Sequence, residues 1–372
     1  MFKRKVFYVG GFDPRGVRYY HAMHEAAVAR WAEKTGKDAA VTPRERGSSI
    51  RHDWSVVNRT DGAETDYSFL RWEDLVSRAW IKNPLELAVR AARAYWGHFR
   101  HLDRHYLRTL PRGPIITLLY PFLGATVLPL LIGLLPFLLA LIWLPWWGAL
   151  LVGLGVGFGA AFPLLRRIHA FWLLRFFVFN AEQGGGEGDP ALAARLDAFA
   201  YEIEAELDGD WDEVLLVTHS NGSILAVPLM ARLLRARGGA MPDRFTLVTL
   251  GHCIPLVAGR HDAVSFRAQL AEIARGRFQW LDIGSPPDGA AFHAVDPMRM
   301  VTDDPRPALQ QLSPRFHLFY DPETYHKGYA NKYEIHFDYL RVGDRVSPLD
   351  FGSLTASALP LDQSVAAFRL IP

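Results

Sequence analysis

The stretch Val214-Leu215-Leu216-Val217-Thr218-His219-Ser220-Asn221-Gly222-Ser223-Ile224-Leu225-Ala226 decides how this chain reads. An apolar strand over 214–218 runs into Ser-x-Gly, and a helical pattern follows to about residue 237. In a nucleophile elbow the serine sits on a sharp strand-to-helix turn that exposes its hydroxyl. Small residues flank it because the backbones there come close. Gly222 supplies the later small position, while Thr218 stands where the motif usually has glycine. A helix starting just after Ser220 also brings the positive end of its dipole toward an attacked carbonyl. The alternative is that Ser220 simply N-caps that helix.

The alternation continues outward. Strand 245–250, helix 264–275 and strand 278–283 follow, and strand–helix alternation signals a parallel sheet with crossover helices. Toward the N-terminus, 6–12 reads as a strand that ends in Gly10-Gly11-Phe12, and 18–34 reads as a helix that stops near Gly36. Residues 39–46, 55–59 and 65–70 read as strands, with Thr60-Asp61-Gly62 as a turn. Residues 72–108 read as a basic, aromatic helix broken near Pro84. Its Ala91, Tyr95, Phe99 and Leu102 could share one face, either against a membrane surface or in ordinary packing. Residues 191–207 read as an amphipathic helix, and 183–189 as a flexible glycine-rich linker.

Between the two halves of this pattern, residues 113–165 contain no charged residue. One bilayer crossing takes about 20 apolar residues, so the run holds two, near 115–143 and 148–165. The first contains Pro121, Pro129 and Pro136, which implies a kinked or re-entrant helix. The second contains Gly153, Gly155, Gly157 and Gly159, whose spacing lets helices approach closely. A phosphate-binding loop is the competing reading of these glycines, but the strand-turn-helix punctuation and a following lysine are missing. A helical hairpin buried in a soluble protein is the alternative to two crossings. Arg100, Arg104, Arg108 and Arg112 precede the run, and Arg166, Arg167 and Arg175 follow it. The turn Leu144-Pro145-Trp146-Trp147 is uncharged. Positive flanks stay inside, so both ends are expected in the cytoplasm. The apolar stretch at 6–12 is too short for a secretory signal and meets Asp13 and Pro14.

Composition excludes several classes. The chain has 372 residues, a net charge of +2 and one cysteine, Cys253. A balance this even gives no case for nucleic-acid binding, and a lone cysteine excludes an internal disulfide framework or a cysteine-based zinc site. No HExxH occurs and the His residues are scattered, so no metal site is expected.

With the strand-Ser-x-Gly-helix context in place, the chain resembles the α/β-hydrolase superfamily, and more closely its lipase- and esterase-like members. Thr249-Leu250-Gly251 is similar to the Thr-Leu-Gly found in lipases after the next strand. Trp280-Leu281-Asp282-Ile283-Gly284-Ser285-Pro286-Pro287-Asp288 resembles the strand and loop that carry the family's acid. The resemblance covers the second half well and the first half loosely, and the apolar insertion lies outside the family pattern. It implies a mostly parallel sheet with helices on both faces, no cofactor, and a triad in the order nucleophile, acid, histidine. Ser220 would be the nucleophile. Asp288 is the acid of choice, with Asp282 inside the strand and Asp296 later in the chain. For the base, His317 falls inside an expected strand 316–320 in a core role, leaving His326 and His336. Lys332-Tyr333-Glu334-Ile335-His336-Phe337-Asp338-Tyr339-Leu340 resembles a His-Phe-x-Tyr-Leu pattern of membrane-associated bacterial hydrolases, which favours His336 and keeps His326 as the alternative. The oxyanion hole would use the N–H of Asn221 and that of Phe12, or of Gly11 instead.

The expectation is a membrane-anchored serine hydrolase acting on carboxylic esters, lipid acyl esters first. Acyl transfer, thioester cleavage or an inactive scaffold on the same fold are the rivals. The α/β domain would comprise residues 1–110 and 183–372, interrupted by the membrane-associated segment 111–182. An Ala- and Arg-rich composition suggests a GC-rich bacterial genome and hence the inner membrane.

Overall fold

Strand β1 (Phe2–Val9) joins the two halves of the sheet. It lies parallel between β5 (Ala63–Leu70) and β6 (Glu213–His219), with Phe7 opposite Ser68 on one side and Leu216 on the other. The computed structural model describes residues 1–103, 110–184 and 188–372. Among these, nine strands form one sheet. The remaining strands are β2 (Ala39–Val41), β3 (Glu45–Arg46), β4 (Arg51–Asn58), β7 (Phe245–Leu250), β8 (Gln279–Ile283) and β9 (Ala308–Leu312). The order is β2-β4-β5-β1-β6-β7-β8-β9, with β3 on β4. From β5 to β9 every pairing is parallel; β4 pairs antiparallel with β5, and β2 and β3 antiparallel with β4. The protein is thus α/β with a mostly parallel mixed sheet.

A strand covered on both faces reads as a continuous apolar run, and β6 is buried along its whole length. Phe7, Val9, Leu216, Leu247 and Trp280 face one core, closed by the helices Pro190–Glu206 and Gly222–Ala236. Val6, Tyr8, Leu215, Val217 and Leu281 face the other, closed by the helices Val17–Thr35 and Phe351–Ala356. Each fully buried side chain of this kind stabilises the fold by about 1.5–3 kcal/mol. The first of these covering helices stops at Gly36, whose φ of +68° is left-handed and whose N–H caps Ala32 O.

Several elements differ from the sequence reading. β1 starts at Phe2 because its cations are paired: buried Arg4 binds Glu213 at 2.5 Å and buried Lys5 binds Asp66 at 3.1 Å. The expected strand 39–46 is split into β2 and β3 around Pro43. The expected strand 316–320 is a short helix, Phe316–Phe319, entered through Arg315 at φ +46°. The strand in this region is instead β9, a polar edge strand with no apolar alternation to announce it. His317 is therefore exposed on that helix and is not in the core. Residues 72–108 divide into the helices Glu73–Ala79 and Pro84–His101, the second capped by the Asn83 side chain. Ala91, Tyr95 and Leu102 of the expected common face are buried, while Phe99, at its edge, is exposed. Arg104 and Arg108 of this region, and residues 185–187 of the expected linker, lie outside the described residues.

Arg112–Ala140 and Trp146–Arg167 are two helices long and apolar enough to cross a membrane. The most apolar windows of the two are only 11% and 33% buried, so they are not core helices of the sheet domain. They pack on each other through small residues. Ala149, Gly153, Gly157, Ala161 and Leu165 recur every fourth residue along the buried side of the second. A Cβ on Gly153 or Gly157 would strike Gly133 or Pro129 of the first helix, whereas Gly155 and Gly159 face open space. The first helix continues unbroken through its three prolines.

Candidate functional site

The carboxyl ends of β1, β6, β7 and β8 converge on one edge of the sheet, the usual place for a site in an open α/β fold. Ser220 follows β6 directly. Its φ is +56°, a left-handed conformation that costs a non-glycine residue roughly 1–2 kcal/mol. Hydrogen bonds hold it there. Ser220 N–H donates to Leu250 O at 3.0 Å, and Ser220 O accepts from Ser223 N at 2.9 Å and Ser223 Oγ at 2.5 Å. Ser223 Oγ in turn accepts from Cys253 N at 3.0 Å. The hydroxyl of Ser220 makes no capping hydrogen bond, so the simple N-cap reading does not describe it; Asn221 holds that position.

Glycines let the backbones meet here. A Cβ on Gly222 would collide with the carbonyl oxygens of Val9 and Gly10, and one on Gly11 would lie 3.0 Å from Ser220 Cβ and 3.3 Å from its Oγ. The loop after β1 is therefore packed directly against Ser220. Phe12 follows, its ring fixed among Trp80, Phe176 and Phe179. Its carbonyl accepts from Trp172 Nε1 at 3.1 Å. Neither Phe12 N–H nor Asn221 N–H donates to a protein acceptor among the described residues.

Asp288 lies in the loop after β8, fully desolvated. Its Oδ2 receives His336 Nδ1 at 2.9 Å and the Tyr339 hydroxyl at 3.1 Å, and its Oδ1 receives Ala290 N at 2.9 Å. Burial alone would raise the Asp288 pKa. The His336 charge and these hydrogen bonds outweigh it and hold the carboxyl below its ordinary value. Tyr339 is fixed from behind, its hydroxyl accepting from Ser285 N at 2.8 Å. His336 itself sits on the short helix Lys332–Phe337, whose Phe337 is buried in the same apolar cluster as Phe319 and Val28.

The other candidates are placed elsewhere. Asp282 faces away from His336: its Oδ1 takes the Thr249 hydroxyl at 2.7 Å and its Oδ2 lies 3.6 Å from His252 Nε2. Asp296 caps Met298 N. His326 is exposed, with only the Tyr325 ring beside it among the described residues. The His252–Asp282 pair, Tyr339, Trp172 and His219 are the site features the sequence did not single out. Of these, His219 carried a positional signal, since it adjoins Ser220, and Tyr339 stood in the His-Phe-x-Tyr-Leu pattern without a role of its own.

His219 donates from Nε2 to His336 O at 2.7 Å, and burial, with the His336 charge second, lowers its pKa to about 3. It is therefore neutral at ordinary pH. Around it the polar atoms His336 Nε2, His219 Nδ1, Thr218 Oγ1 and both amide atoms of Asn221 are buried without a protein partner. A buried polar group left unpaired costs about 1–3 kcal/mol, and four such residues gathered around one serine call for an explanation. Ser220 Oγ has no protein hydrogen-bond partner among the described residues either. A reacting molecule or a water between these groups would satisfy them. No group of His, Cys, Asp and Glu among the described residues could hold a metal ion.

Comparison with protein-family models, curated proteins and solved structures finds no match to the chain.

Proposed function

We propose that the protein is a membrane-anchored serine hydrolase of the α/β-hydrolase type, acting on carboxylic esters, with lipid acyl esters as the leading substrates. The observation that carries this reading is Ser220, held at φ +56° on a strand-to-helix turn, on the same sheet edge as the buried Asp288–His336 pair. A left-handed serine persists only where the surroundings over-determine it, and such strain gathers at functional sites. The strand order supports the reading as well, since β6 lies between the strand that leads into Gly11-Phe12 and the one that leads into Gly251.

In this mechanism Ser220 Oγ attacks the ester carbonyl carbon while His336 Nε2 takes its proton. Asp288 accepts from Nδ1, which leaves Nε2 as the basic nitrogen and stabilises the imidazolium. Asn221 and Phe12 N–H hold the oxyanion. The alcohol leaves with the proton from His336. Water then attacks the acyl-enzyme, giving its proton to His336, and the acid is released with Ser220 restored. The Ser220–His336 hydrogen bond is absent in the resting arrangement, and such bonds often tighten only with substrate bound.

The two apolar helices would hold the site beside the bilayer, with their arginine flanks in the cytoplasm and the anchor in a bacterial inner membrane. The test is labelling with a fluorophosphonate probe in membranes. Wild type should label and Ser220→Ala should not; equal labelling of the two would remove Ser220 as the nucleophile.

A further inference from the structure

The helix Pro84–His101 has two apolar sides, and only one of them is used. Leu87, Ala91, Ala94, Tyr95 and His98 are buried against the protein. Leu85, Val89, Ala92, Trp96 and Phe99 are exposed, Leu85 and Trp96 by more than 70%. Their spacing of four, three, four and three residues puts them on a single stripe of a 3.6-residue helix. Charges fill the sector between the two sides: Arg90 is paired with Glu86 and Glu182, while Arg93 and Arg100 are exposed without an acidic partner among the described residues. An apolar stripe beside unpaired arginines is the pattern of a helix that lies in a lipid interface.

The position of this helix along the apolar pair fits that occupant. Tyr95, on its buried side, donates to Leu118 O at 2.5 Å and stacks on Phe122 at 4.6 Å. From residues 118–122 to the end of that helix at Ala140 the rise is about 27–33 Å at 1.5 Å per residue. The hydrocarbon core of a bilayer is about 30 Å thick. At the far end stand the exposed Trp143, Trp146 and Trp147, and at the near end the exposed Arg112, Arg166 and Arg167. The stripe and the tryptophan turn thus mark the two edges of one apolar band.

We propose that Pro84–His101 is an in-plane interfacial helix whose Leu85, Val89, Ala92, Trp96 and Phe99 stripe dips into the near leaflet, with Arg93 and Arg100 at its phosphates. This rests on the membrane reading of the two apolar helices but not on the hydrolase reading. Its consequence is orientation. The helix packs on Ala170–Gly184, which carries Trp172 and hence Phe12, so the sheet edge bearing Ser220 is held at the level of the headgroups.

The test uses the full chain in phosphatidylcholine–phosphatidylglycerol vesicles, with an environment-sensitive nitrobenzoxadiazole label at Trp96→Cys, Leu131→Cys or Glu25→Cys. Cys253 is buried, which pushes its thiol up to about 12, and it does not compete for the label. Lipids carrying a nitroxide at carbon 5 should quench the Trp96 label about twofold more than those carrying it at carbon 12, as a shallow position requires. Leu131 should show the reverse order, and Glu25 neither effect. Val89→Cys repeats the measurement should Trp96→Cys fail to fold. If Leu131 is quenched but positions 96 and 89 behave like Glu25, the proposal is overturned and the membrane reading stands. If Leu131 is not quenched, the membrane reading fails and takes the proposal with it. A label at 96 shielded from iodide yet unquenched by either lipid would mean a protein covers the stripe, which also overturns it.

Discussion

His219 Nε2 donates to the backbone carbonyl of His336 across 2.7 Å, so the residue next to Ser220 holds the backbone of the histidine that would serve it. A carbonyl only accepts, which puts the His219 proton on Nε2 and leaves Nδ1 bare. The bond ties the end of β6 to the helix Lys332–Phe337, two pieces of chain more than a hundred residues apart. Replacing His219 by Ala should loosen His336 and lower kcat with little change in KM for a soluble ester. His219→Gln keeps an N–H donor at similar reach and should recover much of the loss. Steady-state kinetics of the two variants check this. Equal loss in both would mean that the imidazole is needed for more than its hydrogen bond.

The same residue gives a pH dependence. His219 titrates near 3 in the folded protein, against an ordinary value of 6.5. As pH falls below 6.5, the unfolded chain takes up the proton first. The stability that neutral His219 contributes is therefore complete above 6.5 and drains away between 6.5 and about 3. The limiting slope is about 1.4 kcal/mol per pH unit. His219→Gln lacks this loss, so the stability gap between wild type and variant should close or reverse between pH 7 and pH 4. Chemical denaturation in detergent at several pH values measures it.

For the base, His336→Ala should lower kcat by several orders of magnitude, and His326→Ala should leave it near wild type. His326 is exposed on the helix Pro322–Ala330, whereas His336 is bonded to Asp288. A reversal of the two effects, read from kcat on a chromogenic short-chain ester, would move the base to His326.

Tyr339→Phe removes one of three hydrogen bonds to the Asp288 carboxylate without changing its packing. A hydrogen bond to a charged group contributes about 1.5–3 kcal/mol. The Asp288 pKa should rise, since this hydroxyl is among the groups that hold it down. The acid limb of the kcat/KM profile should then shift in Tyr339→Phe, while a purely structural loss would lower the whole profile evenly.

The sequence made the crossover half legible because burial on both faces leaves little choice. β7 has the bounds expected of it, and β6, β8 and the helix Gly222–Ala236 match theirs to within one residue at either end. It hid β9, whose Gln310 and Gln311 lie at a half-covered edge and show no apolar alternation. It hid the first residues of β1, because paired Arg4 and Lys5 read as a solvated flank. At the site, Ser220 and Asp288 announced themselves through local pattern. Trp172 and His252 could not, since each acts through a partner far away in the chain, and Tyr339 stood in the His-Phe-x-Tyr-Leu pattern while its bonds to Asp288 and Ser285 did not show. The outer stripe of Pro84–His101 did not show for a related reason: periodicity finds one apolar side of a helix, here Ala91, Tyr95 and Leu102, and does not separate from it the neighbouring side that Phe99 joins.

The foot of the first apolar helix packs on the candidate site, and this sets where the helices can be removed. A Cβ on Gly113 would lie 3.3 Å from Gly289 Cα, and one on Gly289 would meet Thr117 Oγ1 at 2.5 Å. Gly289 adjoins Asp288. Leu118 O is the acceptor of the Tyr95 hydroxyl, and Tyr120 donates to Ile168 O at 2.9 Å, closing the base of the helix pair. His169, just beyond the second helix, stacks on Tyr333 at 4.1 Å, one turn before His336. Replacing the whole run 113–165 by a soluble linker should therefore uncover the Asp288 loop and lose activity on every substrate. A shorter excision that keeps residues up to 128 and resumes at 161 preserves those contacts. It should retain hydrolysis of a water-soluble short-chain ester and lose it on bilayer lipid, because the site is no longer held at its substrate. Assays of both deletions on both substrates, with thermal unfolding to confirm the fold, check this. Full activity of the 113–165 replacement on the soluble ester would show that the foot is dispensable to the site. Loss of soluble-ester activity in the shorter excision would make the helices themselves part of the catalytic core.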